Sequence, residues 1–415
     1  MIILRRFLLL VVAAFIVWRV GASGLSAHYV ERLEAGERDA AAKALAWDPR
    51  QPEALYAQAL SLREEDPDAA ASLFARAYAQ NPADSRPLVA TARMVLDEGD
   101  ADRADAMVKA AVELTPADPR IHRQAAAYWI SRGELTLAMR HLSLTLETSP
   151  AYREELFPRL LKIAEDSGAW PAFRPLALSP PSWWGAFFAE VSKRSLDVET
   201  VRLLYALRRE SSQTPLTEEE RKAYVARLKK DGLITEAYIE WINGLTRGQR
   251  DQLGLLHDGG FELEPTNWGF DWHLGKRRGV IVDQARTYGV KGERALHVIF
   301  KDLKRPFRDI SQPLFLDPGT YRLDGKVRTD SLETKGGLKW VVRCLLPEVE
   351  QIGESERFLG ANQWRGFGFE FEVEESCGLQ EIRLVSAGKR AFEYEITGGA
   401  WFDGMAIRRV AHTEG

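Results

Sequence analysis

The sequence predicts a multidomain α + β chain: an N-terminal membrane helix, then an all-α helical array, then an all-β jelly-roll sandwich. Three observations lead to this division. An apolar run follows two arginines near the N-terminus, prolines recur about every 34 residues, and after Gly248 apolar residues alternate instead of recurring every third or fourth position. A chain of 415 residues is also too long for one ordinary core, so several domains are expected.

The first segment, residues 1–27, predicts a signal anchor that forms a transmembrane helix. Arg5 and Arg6 precede the apolar run Phe7–Trp18, and positive charge on that side keeps the N-terminus in the cytoplasm. We therefore expect a single N-terminal anchor in a bacterial inner membrane, with the bulk of the chain in the periplasm. The small residues in Val20–Ala22 would also suit a cleavage site, and cleavage would leave a soluble periplasmic protein.

The next segment, residues 28–150, predicts repeated helical hairpins. Pro49, Pro82, Pro116 and Pro150 are separated by 33, 34 and 34 residues, which is a repeat period. Small or apolar residues recur at fixed distances from these prolines, where two helices must approach closely. These positions are Ala59, Ala92 and Ala126; Ala70, Phe74 and Ala77; Ala104, Val108 and Ala111; and Ala138, Leu142 and Thr145.

The spacing of these positions resembles the tetratricopeptide repeat. Gly99 and Gly133 lie where each unit needs a turn between its two helices. The resemblance implies a stacked array with a preformed surface for a protein partner. Residues 151–250 lose the register but keep helical spacing, so we expect further α-helical hairpins that continue the array. Within them, Thr217–Glu220 has the pattern of a capping box.

The last segment, residues 253–412, predicts a β-sandwich because its apolar residues alternate between turn signals. Phe367, Phe369, Phe371 and Val373 form the clearest alternation. The other expected strands contain Leu296 to Phe300, Tyr321 to Val327, Trp340 to Leu346, Ile382 with Leu384, Phe392 to Ile396, and Trp401 to Ile407.

This sandwich resembles carbohydrate-binding modules of the galactose-binding-like jelly-roll type, close to families four and nine. The matching marks are Asp258–Glu262 followed by Trp268 at the start, Gln363–Arg365 before the phenylalanine-rich strand, and Gly399–Ile407 at the end. The resemblance covers the whole domain and implies that the sandwich binds a polysaccharide.

A sugar needs an aromatic face to stack on and polar groups for its hydroxyls. The candidate ligand-binding residues are Trp268, Asp271, Trp272, His273 and Trp364. Of these, Trp272 and His273 are expected to be exposed, because they lie in a polar loop bounded by glycines. Trp340 opens an alternating strand and is expected in the core instead.

The same resemblance implies a structural calcium site held by Glu262 and Asp403, one carboxylate from each end of the sandwich. Oxygen ligands suit this hard cation, although calcium needs at least six of them and the sequence identifies two. The alternative is that both carboxylates only accept hydrogen bonds from turns and strand ends. No other cofactor is expected.

The composition argues against several functional classes. With 56 basic and 60 acidic residues, the chain has no excess positive charge for nucleic acid. It contains no G-x-S-x-G, H-E-x-x-H or phosphate-binding loop, so we expect a protein that is not an enzyme. Cys344 and Cys377 are the two cysteines, and either a disulfide or two free thiols remains open.

These observations favour a non-catalytic, membrane-anchored periplasmic scaffold. Its repeats would bind a protein and its sandwich a glycan, in envelope biosynthesis or in the biosynthesis or export of exopolysaccharide or O-antigen. The alternative is a pure protein-protein interaction scaffold whose sandwich is structural and binds no sugar.

Overall fold

The computed structural model describes residues 2–37, 39–388 and 390–410. The chain divides into two compact units, Met1–Trp184 and Gly185–Gly415. The first unit is built of helices, and the second contains helices followed by two β-sheets. The predicted order of an apolar N-terminal helix, an all-α array and a C-terminal jelly-roll sandwich is confirmed.

The first unit opens with α1 (Ile2–Glu34), a single helix of 33 residues. Its stretch Leu10–Glu34 is long and apolar enough to cross a membrane. The C-terminal half of α1 packs on α2 (Ala40–Trp47), where Ala22 and Ser26 are buried. Ser26 Oγ donates a hydrogen bond of 3.0 Å to the carbonyl oxygen of Ala44. The apolar helix and the first array helix are therefore one continuous element.

Three helical hairpins follow, as the proline period predicts. They pair α3 (Pro52–Leu62) with α4 (Pro67–Gln80), α5 (Arg86–Asp97) with α6 (Ala101–Leu114), and α7 (Pro119–Ser131) with α8 (Leu135–Thr148). All twelve of the recurring positions named above are buried. Gly99 and Gly133 adopt φ values of +94° and +75° in the turns, a conformation that glycine adopts without strain. The first unit then continues through α9 (Arg153–Ala164) and α10 (Trp170–Leu178).

Two histidines face each other inside the α7–α8 hairpin. His122 Nδ1 lies 3.1 Å from His141 Nδ1, and the two rings stack with centroids 5.3 Å apart. Because His122 Nε2 donates to the carbonyl oxygen of Pro116 at 2.8 Å, its neutral Nδ1 accepts the proton of His141 Nδ1. His141 therefore carries its proton on Nδ1, and a second proton would enter at its Nε2.

This pair predicts acid sensitivity of the array. Burial, followed by the charges of His122 and Arg140, lowers the pKa of His141 to about 4. The unfolded chain then binds the proton more readily, so the free energy of unfolding falls as the pH falls from about 6.5 to about 4. Allowing for solvent screening, we expect a loss of about 1–2 kcal/mol between these values. Urea unfolding of the His141→Gln variant should lack this loss, and an equal pH dependence in both proteins would contradict the assignment.

The helices of the second unit lead into the sandwich. They are α11 (Trp184–Arg194), α12 (Val198–Arg209), α13 (Glu218–Lys230), α14 (Ile234–Gly244) and the short α15 (Arg247–Arg250). The predicted capping box is confirmed at the start of α13: the Thr217 side chain accepts from the backbone N–H of Glu220, and the Glu220 side chain accepts from that of Thr217. Glu220 also forms a fully buried ion pair with Arg208 of α12, at 2.8 Å.

The sandwich consists of two five-stranded antiparallel sheets. The first sheet has the order β1-β4-β9-β6-β7 and the second β2-β3-β10-β5-β8. The strands are β1 (His273–Leu274), β2 (Val280–Arg286), β3 (Arg294–Leu303), β4 (Ile310–Leu314), β5 (Gly319–Thr334), β6 (Leu338–Leu346), β7 (Glu350–Glu354), β8 (Gly360–Val373), β9 (Leu379–Ser386) and β10 (Ile396–Arg409).

One predicted strand is wrong. Ala391–Tyr394 forms a 3₁₀ turn, Phe392 is half exposed, and Ile396 instead begins the long strand β10. The alternation at Phe392 and Tyr394 therefore does not reflect two faces of a sheet. The structure also contains four strands that the sequence pattern does not predict: β1, β2, β4 and β7. These strands are short or carry only weak alternation of burial.

Large aromatic side chains fill the space between the sheets. Trp340 is fully buried, as predicted, and its ring lies 5.2 Å from that of Phe402 and 5.8 Å from that of Trp272.

Cys344 and Cys377 form a disulfide across 33 residues of sequence, which resolves the alternative that the sequence left open. The bond joins β6 to the segment that leads into β9, its neighbour in the first sheet.

Candidate functional site

The opening stretch of the sandwich does not form a strand. Asp258 and Phe261 adopt positive φ values of 43° and 57°, which extended backbone excludes. The stretch nevertheless lies beside the last strand, β10, because Met405 N donates to the carbonyl oxygen of Gly259 at 2.8 Å. A Cβ on Gly259 would lie 1.8 Å from the carbonyl oxygen of Met405, so this close approach requires glycine.

The loop that carries four of the predicted ligand-binding residues contacts helix α13. Trp268 is buried, and its Nε1 donates a hydrogen bond of 2.9 Å to Glu218 Oε1. Lys229 Nζ donates to the carbonyl oxygen of Gly269 at 2.9 Å and lies 5.0 Å from the ring centroid of Phe270. Burial lowers the pKa of Lys229 to about 8. This loop therefore joins the helices of the second unit to the sandwich.

Aromatic rings complete this joint. The ring of Phe270 lies 5.0 Å from that of Tyr238 and 5.7 Å from that of Trp241, both on α14. Tyr238 also lies 5.0 Å from Phe315, which follows β4 of the first sheet. These distances are typical of packed aromatic pairs in a core. Helices α13 and α14 thus contact the sandwich on the side of the first sheet.

Trp272 is not exposed, so that expectation is wrong. Its side chain has 0% exposure, its ring packs 4.9 Å from Phe261, and its Nε1 donates to the carbonyl oxygen of Asp258 at 3.0 Å. Asp271 is buried beside it and accepts hydrogen bonds from the backbone N–H groups of Thr266 and Trp272. Polar sequence around Trp272 predicted a surface loop, but these hydrogen bonds satisfy the polar groups internally.

His273 is half-buried and opens β1 rather than an exposed loop. Burial, followed by the charge of Lys229, lowers the pKa of its imidazole. Among the described residues its Nε2 has no hydrogen-bond partner. Neither Trp268 nor Trp272 presents an open ring face with it, so the structure does not bring these residues together as a sugar platform.

Trp364, the remaining candidate, lies on the second sheet in a different environment. Its Nε1 donates to the carbonyl oxygen of Tyr288 at 2.7 Å, and Tyr288 Oη donates to Gln363 Oε1 at 3.2 Å. A line of side chains leads up to it across neighbouring strands. The strand register places Asp283 of β2, His297 of β3, Trp401 of β10 and Arg328 of β5 side by side.

We name the side chains of Tyr288, His297, Arg328, Trp364 and Trp401 the aromatic row. The guanidinium of Arg328 lies at its centre, 4.5 Å from the ring centroid of Trp401, 5.0 Å from Tyr288 and 5.5 Å from Trp364. The His297 and Trp401 rings stack at 3.6 Å. Such cation–π and stacking contacts hold the rings in fixed orientations.

The two outer members of the aromatic row are accessible. Tyr288 is 64% exposed and Trp364 is half-buried, whereas Trp401 is 7% exposed beneath them. Gln363 adjoins the rings, and Asp330 accepts a hydrogen bond of 2.7 Å from Trp401 Nε1. Flat, oriented rings beside polar side chains are what a sugar ring and its hydroxyl groups require.

Sequence reasoning missed four members of the aromatic row. A signal for one of them was present: Trp401 lies between Ala400 and Phe402, which are both fully buried, so the period of two places it on the opposite face. A tryptophan on the polar side of a strand is a candidate for binding. Tyr288 gave no such signal, because only the fold brings its loop beside Trp364.

The two predicted calcium ligands approach the same backbone segment. Glu262 Oε1 accepts from the N–H groups of Glu293 and Arg294, at 2.9 and 3.1 Å, and Asp403 Oδ2 accepts from that of Lys291 at 3.1 Å. Asp403 Oδ1 is buried and has no hydrogen-bond partner among the described residues. Burial raises the pKa of Asp403, and the charge of Glu262 adds to this.

The two carboxylates meet some of the requirements of a cation site. The unsatisfied, buried Oδ1 of Asp403 and the mutual repulsion with Glu262 would both be relieved by a positive charge. Within the part of the chain that the structure describes, however, no three His, Cys, Asp or Glu side chains are grouped to hold a metal ion. Any cation here would need backbone carbonyls or water for most of its ligands.

The first unit carries a second candidate surface, a groove between α5, α7, α8 and α9. It encloses about 220 Å³. Its lining is Arg93, Arg123, Gln124, Ala127, Ile130, Leu142, Leu156, Arg159, Leu160 and Ile163. We name it the repeat groove. A preformed groove on a helical array is typical of surfaces that bind protein segments.

Comparison with known proteins supports the repeat assignment directly. Residues 61–128 match the family model of the tetratricopeptide repeat. No curated protein matches the sequence. The predicted similarity to tetratricopeptide repeats is therefore confirmed over that stretch.

Several solved structures are similar to parts of this chain. A family 4 carbohydrate-binding module is 15% identical and covers 37% of this chain and 99% of its own, with a TM-score of 0.29. A family 61 module in complex with β-1,4-galactotriose is 20% identical, with coverages of 38% and 99% and a TM-score of 0.27. The pilF protein of Pseudomonas aeruginosa is 17% identical, with coverages of 55% and 96% and a TM-score of 0.29.

Proposed function

We propose that this protein is a non-catalytic, membrane-anchored scaffold whose sandwich binds a glycan at the aromatic row and whose repeats bind a protein. The observation that carries the glycan part is the arrangement of Tyr288 and Trp364, two accessible rings oriented by the guanidinium of Arg328. Exposed apolar rings that are grouped together and bordered by polar residues mark ligand or partner sites, whereas single scattered ones do not. The proposed role is in envelope biosynthesis or in the synthesis or export of exopolysaccharide or O-antigen.

The proposed location is a bacterial inner membrane, with α1 as the anchor and the bulk of the chain in the periplasm. Helix α1 supports retention of the anchor, because cleavage after Ala22 would cut a helix that packs on α2 at Ala22 and Ser26. The disulfide between Cys344 and Cys377 suits an oxidising compartment. Intact-mass measurement of the membrane-extracted protein tests this proposal: a mature chain that begins after Ala22 would contradict it.

The alternative function is a pure protein-interaction scaffold in which the sandwich binds no sugar. A glycan array probed with the full chain, in a detergent without a sugar headgroup, separates the two. We expect retention of at least one envelope polysaccharide. The absence of binding to every bacterial polysaccharide tested, together with a protein partner captured through the repeats, would decide for the pure scaffold.

We also propose that a structural calcium ion is held near Glu262 and Asp403. The ion would satisfy the buried Oδ1 of Asp403 and neutralise two neighbouring carboxylates. Chelation should then lower the melting temperature of the sandwich, and added calcium should restore it. The Asp403→Asn variant should show no response to chelator. A melting temperature of the unmodified protein that chelator does not change would rule the ion out.

A further inference from the structure

The repeat groove combines an apolar floor with a basic rim. The floor is formed by Ala127, Ile130, Leu142, Leu156, Leu160 and Ile163, and Ile130 is 47% exposed at its edge. Three arginines stand around it: Arg93 on α5, Arg123 on α7 and Arg159 on α9. An apolar surface of this kind, left open between helices, can accept one or two aliphatic side chains.

The positive charge of the groove is only partly neutralised. Arg123 and Arg159 share one carboxylate, that of Glu155, at 3.5 and 3.2 Å. Arg93 is half-buried, and in the described part of the chain no carboxylate lies within ion-pair distance of it. Burial and the nearby charge of Arg63 lower the pKa of Arg93, and the carboxylate of Asp97, which lies beyond ion-pair distance, offsets this only in part. Among the described residues, one carboxylate, that of Glu155, therefore lies within ion-pair distance of the three guanidinium groups that face the groove.

A half-buried guanidinium without a partner loses hydrogen bonds to water and gains few interactions with the protein to replace them. Arg93 keeps its charge under all ordinary conditions, so a carboxylate supplied from outside is the group that would stabilise it best. Beside it, Gln124 Nε2 donates to Tyr56 Oη at 2.9 Å, which leaves the amide oxygen of Gln124 as an acceptor for a peptide N–H. A bound peptide would thus find a suitable partner in the groove for its carboxylates, for its aliphatic side chains and for its backbone N–H groups.

We infer that the repeat groove binds an acidic segment of a partner protein, in which Asp or Glu side chains pair with Arg93 and Arg123 while aliphatic side chains lie on the floor. This inference rests on the proposed docking of a protein by the repeats and specifies its chemistry. The partner is recognised by the alternation of acidic and aliphatic residues, which the charge and shape of the groove complement.

Three fluorescent peptide libraries test the inference by anisotropy with the full, detergent-solubilised chain. Each library has aliphatic residues at alternate positions, and the positions between them are Asp or Glu, Ser or Gln, or Lys or Arg. We expect the acidic library to bind best and to weaken as salt is raised from 50 to 500 mM. The Arg93→Gln variant should weaken acidic binding about ten-fold or more, because it removes a charge-assisted hydrogen bond.

Arg103 provides the matched control. It is an exposed arginine on α6, outside the groove lining, and the Arg103→Gln variant should bind the acidic library with unchanged affinity. Preference for the neutral or basic library, lost on Ile130→Asp substitution, would overturn the acidic assignment while keeping the groove as a protein site. Failure of all three libraries would overturn both the inference and the proposed docking in this groove.

Discussion

Replacement of Trp272 by alanine is expected to lower the free energy of unfolding of the sandwich by about 3–5 kcal/mol. The indole is fully buried between Phe261 and Trp340, so its removal leaves a large cavity between the two sheets. It also removes the hydrogen bond to the carbonyl oxygen of Asp258, which would remain buried. Hydrogen exchange of peptides from β5 and β10, followed over a range of urea concentrations, measures this effect within the sandwich.

Trp364→Ala is the control for this substitution, because the same residue type is removed from a half-buried position. We expect its unfolding free energy to fall by no more than about 1 kcal/mol. A small effect of Trp272→Ala, comparable to that of Trp364→Ala, would mean that Trp272 is not in the core and would return it to the list of ligand candidates.

Replacement of Arg208 by alanine should be nearly as damaging to the helices of the second unit. Arg208 and Glu220 are each 2% exposed, and Arg208 also donates to the carbonyl oxygens of Thr214 and Pro215. The substitution leaves the Glu220 carboxylate buried without its counter-charge, which costs about 3–5 kcal/mol. The capping box at Thr217 would not compensate, because its N–H groups carry no full charge. Hydrogen exchange of α12 and α13 reports the change.

The double variant Arg208→Met, Glu220→Gln separates loss of packing from loss of charge balance. We expect it to recover most of the stability, because neither replacement is charged. Arg209→Ala serves as the control, since Arg209 is exposed and its ion pair with Glu240 spans 3.9 Å. If the double variant were as unstable as Arg208→Ala, the buried charge would not explain the loss.

The repeat array could be predicted closely because its signal is local and repeated. Each hairpin must bury small residues such as Ala70, Ala104 and Ala138 at the same place, and one period of 34 residues exposes the pattern. Strands of the sandwich were predicted where alternation is strong, as in β8. The error at Phe392 arose because two apolar residues two positions apart satisfy the strand pattern in a 3₁₀ turn as well.

The binding surface could be predicted only in part, because register across strands is not local information. Trp364 was identified from its own neighbourhood, but Arg328 and Trp401 join it only through the pairing of β5 with β8 on one side and with β10 on the other. The loop of Trp268 and Trp272 predicted aromatic rings for binding a ligand, but the structure buries both of them. Its polar and glycine-rich sequence serves close packing against α13 and hydrogen bonds to buried backbone groups.

Glycan binding by the aromatic row can be tested by measuring the dissociation constants of variants within the row. For a polysaccharide retained by the full chain, affinity electrophoresis should show about ten-fold weaker binding for Trp364→Ala and for Tyr288→Ala. Phe392→Ala, which removes an exposed aromatic residue elsewhere in the sandwich, should bind as the unmodified protein does. Unchanged retention of both row variants, with their fold intact by circular dichroism, would mean that the aromatic row does not bind the glycan.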